Sequence, residues 1–122
     1  MKLDGLRVID LSLFLPGPHL TMLMADHGAE VIKVEPPGGG EPVRHVGAVE
    51  AGHTVWFRNT HRGKKSISLD LKNPEQKEAL LKLIDSADIV VEASRLREPE
   101  PLLKTEWIKP GAFVVPYGTM SA

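Results

Sequence analysis

The chain has 122 residues, 42% of them hydrophobic, which suits one small domain with a single core of modest depth. Its 15 Lys plus Arg against 16 Asp plus Glu leave a net charge of −1, so no global field favours nucleic acid or an anionic membrane and any anion site has to be local. There is no cysteine, which excludes disulfides, thiolate nucleophiles and zinc–thiolate clusters, and no long uncharged apolar span or uninterrupted apolar leader, so the expectation is a soluble, cytoplasmic protein.

In chain order, Leu6 to Leu11 is a short β-rich run stopped by Pro16-Gly17-Pro18, which cannot continue a sheet ladder. Leu20, Leu23 and Met24 then recur at helical spacing, with Pro18 suited to a first turn and Gly28 to the position after a helix end. Glu30 to Val34 is a second β-rich run and ends in Glu35-Pro36-Pro37-Gly38-Gly39-Gly40. From Glu41 to Gly63 the pattern is weak, apart from an apolar knot at Val55, Trp56 and Phe57, and reads as an extended loop.

Ser66 to Leu71 alternates, which places Ile67, Leu69 and Leu71 on one face of a half-buried strand. Asn73 looks like a helix N-cap, followed by Pro74, acidic Glu75 and Gln76 in capping-box position, with Leu80, Leu83, Ile84 and Ala87 as the buried stripe. Asp88 to Val91 is a strand covered on both faces, Arg95 to Pro101 a charged connector, Leu102 to Trp107 a short helical turn, and Ala112 to Val115 a last strand. The sum is an α/β fold, an open parallel Rossmann-like sheet in the order β-α-β-(loop)-β-α-β-β, with no capping element after Tyr117, as if cut short.

The first β-α turn, where such folds place phosphates, holds only Gly17 between two prolines, so neither a dinucleotide fingerprint nor a Walker loop is present. Arg58, His61, Arg62, Lys64 and Lys65 form a dense basic cluster before the strand at Ser66, which reads either as a solvated rim or as an anion site for a ligand with several phosphates. The five histidines lack metal-ligand spacing, so no metal is expected. No nucleophile, base and acid can be grouped, and Asp10, Asp26, Asp70, Asp85 and Asp88 read as strand-end or helix-surface charges, as does Glu35.

Residues 3–11, Pro16-Gly17-Pro18, Leu23 to Glu35, Arg62 to Lys72 and Ala87 to Glu92 together, in that order, resemble the opening of class III coenzyme A transferases and the related α-methylacyl-coenzyme A racemases, over about residues 3–92. That resemblance implies a Rossmann-like domain that binds coenzyme A or its thioester, in two subunits interlocked like links of a chain. Leu69 and Lys72 match positions that line the coenzyme site, and the run Arg62, Lys64 and Lys65 lies beside them. The family's transferases pass an acyl group through an aspartyl anhydride, and its racemases move an α-proton between a histidine and an aspartate. In both branches the catalytic residues lie beyond the last residue of this chain, so none is assigned here.

After Glu92 the family's asparagine and glycine-containing turn give way to Ala93-Ser94-Arg95-Leu96, and from about Ala87 onward the chain resembles a segment of the ornithine cyclodeaminase and μ-crystallin family. The sequence therefore divides as 1–92, a coenzyme A transferase-like half-domain, and 93–122, a connector and final strand of different origin. The leading expectation is a truncated domain that binds coenzyme A and associates with itself or with a fuller subunit. The alternatives are a non-catalytic interaction module and a nicotinamide-binding fragment.

Overall fold

The computed structural model describes residues 1–93 and 103–116. The elements are β1 (Arg7–Asp10), α1 (Pro16–Asp26), β2 (Glu30–Glu35), a 3-10 turn (Pro42–His45), β3 (Val49–Glu50), β4 (His53–Thr54), α2 (Val55–His61), β5 (Lys65–Ser68), α3 (Pro74–Ser86), β6 (Ile89–Glu92), a second 3-10 turn (Thr105–Trp107) and β7 (Phe113–Pro116). Five strands form one parallel sheet in the order β5-β2-β1-β6-β7, while β3 and β4 form a small antiparallel hairpin. Counted along the sheet alone this is the 3-2-1-4-5 order of a doubly wound fold, whose strand order reverses between β1 and β6.

Side chains alternate across the sheet and sort into two cores. Ile9, Val34 and Val90 pack on Leu80 and Ile84 of α3, while Val8, Val31 and Val91 pack with Ala29 under Leu20 and Met24 of α1. Helix α3 begins as expected, with the Asn73 side chain accepting from the Glu75 and Gln76 amides. Gln76 does not complete the reciprocal box, since its Oε1 accepts from the Asp70 amide instead and ties the end of the β5 segment to the helix. After α1, Gly28 takes φ +100°, and a Cβ there would lie 2.0 Å from Asp4 Oδ1, so only glycine fits the turn.

Three expectations are corrected. The stretch read as a loop from Glu41 to Gly63 contains α2, started by Thr54, whose hydroxyl accepts from the Phe57 amide, so a third β-α-β crossover links β2 to β5. Of the expected helical positions Leu20 and Met24 pack on the core but Leu23 is exposed, and the residues α1 buries fully are Gly17, Pro18, Thr21 and Met22, because its inner face lies over the Asp10 carboxylate and Thr21 donates to it. The strand before α3 stops at Ser68, so Leu69 is buried while Leu71, beyond the ladder, is half exposed. The last strand lies beside β6 in parallel register, with Val90 opposite Val114, and the connector from Arg95 to Pro101 lies outside the described residues.

Candidate functional site

Beyond the carboxyl ends of the strands lies a groove of about 760 Å³, within the range of small-molecule and cofactor sites. Leu11 and Leu13 after β1 form one wall, Val34 to Pro37 at the end of β2 another, and Leu69 to Lys72 after β5 a third. Lys77, Leu80, Leu81 and Ile84 of α3 form the floor, and Glu92, Leu103 and Trp107 close the far side. The lining is mainly aliphatic, with the exposed ammonium groups of Lys72 and Lys77 at hand. Lys77 and Lys104 place their Nζ atoms 5.8 and 5.4 Å from the Trp107 ring centroid, so an aromatic surface and two cations meet at one end.

The residues singled out in the sequence separate into two groups. Leu69 and Lys72 line the groove, but Arg62, Lys64 and Lys65 are not among its lining residues. Arg62 grips Asp26 with two bonds of 3.1 and 2.6 Å, Lys65 meets Glu30 at 2.7 Å, and Arg58 meets Glu50 at 2.8 Å. Lys64 is buried under α1, bonding Asp10 Oδ2 at 3.0 Å and the Pro18 carbonyl at 2.8 Å. His61 is buried as well, and burial, reinforced by Lys64 and Lys33, pushes its pKa down to about 4, so it is neutral near pH 7.

Lys64 and His61 belong to a buried network that periodicity does not reveal. Lys33 stands opposite Asp10 in the sheet register, 1% exposed, inside what reads as an apolar strand. Its Nζ lies 3.1 Å from Glu41 Oε2 and 3.6 Å from Asp10 Oδ1, and it donates to the Ser12 carbonyl. Burial raises the Asp10 carboxyl, but Lys33 and Lys64, with hydrogen bonds from Ser12 and Thr21, outweigh it and hold the group below the usual carboxylate range.

Glu35, read as a strand-end charge, is the second node. Burial opposes its ionisation, yet two bonds from Arg44 at 2.7 Å, one from Ser66 at 2.6 Å and one from the Glu41 amide at 2.6 Å hold its pKa at about 2. The Arg44 guanidinium in turn lies 3.8 Å from the Phe57 ring centroid. Both Glu35 oxygens are therefore engaged, one Asp70 oxygen accepts from the Lys72 amide, and Glu92 is the third carboxylate of the lining. Among the described residues, no group of three or more His, Asp or Glu side chains could hold a metal ion. No helix among them is long and apolar enough to cross a membrane.

A doubly wound parallel sheet with an apolar groove at the carboxyl ends of its strands defines an α/β protein of the class that binds its ligands at that edge. The particular family follows from the sequence match: residues 3–105 fit CoA-transferase family III, and the chain belongs to that family. The match extends through residues 87–105, so the resemblance to ornithine cyclodeaminases expected there from the sequence is unsupported.

Among curated relatives, the chain is 47% identical over 94 residues to a succinyl-CoA–D-citramalate CoA-transferase of Chloroflexus aurantiacus, covering 76% of this chain and 23% of that protein. It is likewise 47% identical over 94 residues to a succinyl-CoA:mesaconate CoA-transferase of Haloarcula hispanica, covering 74% of this chain and 24% of the relative. Among solved structures, Rv3272 of Mycobacterium tuberculosis in its orthorhombic form superposes with a TM-score of 0.75 at 35% identity, over 93% of this chain and 33% of that one. The chain thus spans about a quarter of the length of the curated relatives it matches.

Proposed function

We propose that the groove binds coenzyme A or an acyl-coenzyme A, and that the chain is the coenzyme-holding part of a class III coenzyme A transferase. The observation that carries this reading is a roomy aliphatic groove at the carboxyl ends of the parallel strands, with Leu69 and Lys72 in its wall, in a chain of this family. An adenine ring and a pantetheine arm suit the apolar walls, and phosphates suit Lys72 and Lys77 through charge-assisted hydrogen bonds. Both oxygens of Glu35 are held by hydrogen bonds, which fits a reading in which the nucleophilic carboxylate is contributed by the remainder of a longer protein or by a fuller subunit. The acyl group is then passed between thioester and carboxylate on that second part, while this one holds the coenzyme. The exposed apolar side chains Phe14, Leu15 and Phe113 favour association of this chain with itself or with such a subunit.

Calorimetric titration of the purified chain with coenzyme A, with NAD as control, tests the reading. Saturable binding of coenzyme A alone is expected, weakened about tenfold or more in Lys72→Ala/Lys77→Ala and retained in Arg62→Ala/Lys65→Ala. A folded chain that ignores coenzyme A would overturn the proposal. Binding lost only with Arg62 and Lys65 would move the site to the basic run.

A further inference from the structure

The turn that carries the β1 wall of the groove contains a backbone anomaly. Phe14 has φ 64°, the left-handed region that non-glycine residues avoid, although nothing in its side chain calls for it: the ring is 48% exposed and is not among the groove's lining residues. Such a conformation persists only where the surroundings impose it. Here the Phe14 amide donates to Glu41 Oε1 at 2.8 Å, and Glu41 is a fully buried carboxylate brought in from the other side of the groove's β2 wall.

The delivery of Glu41 is traceable. Glu35 at the end of β2 accepts from the Glu41 amide, and Gly40, at φ +70°, makes the close approach this needs, since a Cβ there would lie 2.4 Å from Glu35 Oε2. The second Glu41 oxygen is left to Lys33, 3.1 Å away, and Lys33 also donates to the carbonyl of Ser12, two residues before Phe14. One buried ammonium and one buried carboxylate therefore hold both sides of the turn 11–15. Leu11 and Leu13, the β1 wall of the groove, belong to that turn.

We infer that Glu41, backed by Lys33, is a positioning residue: it clamps Phe14 in the left-handed conformation and so fixes Leu11 and Leu13 in the shape that admits the ligand. The clamp touches no ligand itself. The inference rests on the groove being the coenzyme site, but the clamp has a readout of its own in the hydrogen exchange of the Phe14 amide.

The test measures amide exchange by NMR and coenzyme A affinity on the same proteins. In Glu41→Ala the Phe14 amide should exchange at least about tenfold faster while the Ile9 and Val90 amides keep their rates, and affinity should fall by about tenfold. Glu41→Gln, which keeps an acceptor oxygen, should restore Phe14 protection. Glu41→Ala/Phe14→Gly should recover most of the affinity, because glycine enters the left-handed region without the Cβ penalty. Where Glu41→Ala does not fold, Phe14→Val serves instead: a β-branched residue opposes the left-handed turn, and affinity should drop with the buried network intact.

Unchanged Phe14 exchange in Glu41→Ala, acceleration there only in step with the core amides, or full affinity in Phe14→Val would each overturn the inference. Selective loss of Phe14 protection in Glu41→Ala, together with a wild-type chain that does not bind coenzyme A, would uphold the clamp and overturn the assignment of the groove's ligand.

Discussion

On the α3 side of the sheet, Ile9, Val34 and Val90 meet Leu80, Ile84 and Ala87, a core whose buried side chains are all aliphatic. On the α1 side, Val8, Val31 and Val91 share the face with Asp10 and Lys33, and beneath α1 and α2 these join Lys64, Glu41 and His61, all with side chains 3% exposed or less. The same strands thus serve two kinds of interior. Aliphatic burial is non-directional and fixes only that α3 lies down. A buried ion network has to be satisfied atom by atom, and so it fixes where particular loops go, here the turn after β1 and the return of residues 40–44.

The contrast should be most visible on removing a charge. Asp10→Ala leaves Lys33 and Lys64 buried beside each other with one carboxylate fewer, and should cost about 3–5 kcal/mol in chemical denaturation. A loss no greater than that of a surface substitution would mean that the polar face is wetter than its geometry indicates. Acidification is the next largest effect. His61 has a pKa of about 4 in the fold against an ordinary 6.5, so between those values the unfolded chain takes the proton and the folded one does not.

Stability should therefore decline as pH falls from about 6.5 to about 4, by up to about 3 kcal/mol, and His61→Gln should flatten that slope. Glu35, held at about 2 against an ordinary 4.5, adds its own loss only below about pH 4.5, with the same sign, because its ionised form is the one the fold stabilises. On the aliphatic face, by comparison, Ile84→Val should cost about 1 kcal/mol, and the same amount at pH 7 and pH 5. A cost that varied with pH would link the two faces and blur the distinction.

The aliphatic face was the legible one. Leu80, Ile84 and Ala87 at helical spacing, Asn73 as cap, Gly28 after α1, the β-rich run of β1 and the apolar run of β6 are local signals, and each corresponds to what folds. Lys33 carries no such signal: within Glu30 to Glu35 a lysine looks like a solvent-facing position, and only the parallel register opposite Asp10 explains its burial. Helix α2 was obscured because its seven residues bury Thr60 and His61 against polar partners and show no apolar stripe, although Thr54 before the apolar knot is the cap that announces it. For the groove, Leu69 and Lys72 were reached through family resemblance, whereas Lys77 and Trp107 enter only when α3 and the turn after Leu103 are brought together in space.

Whether the groove is the coenzyme site is decided most directly by amide chemical-shift mapping of the chain during titration with coenzyme A. Shifts should cluster at Leu69, Leu71, Leu81 and the Trp107 indole, with Arg62 and Lys65 unmoved. Shifts centred on Arg58 to Lys65, with the groove silent, would contradict that assignment.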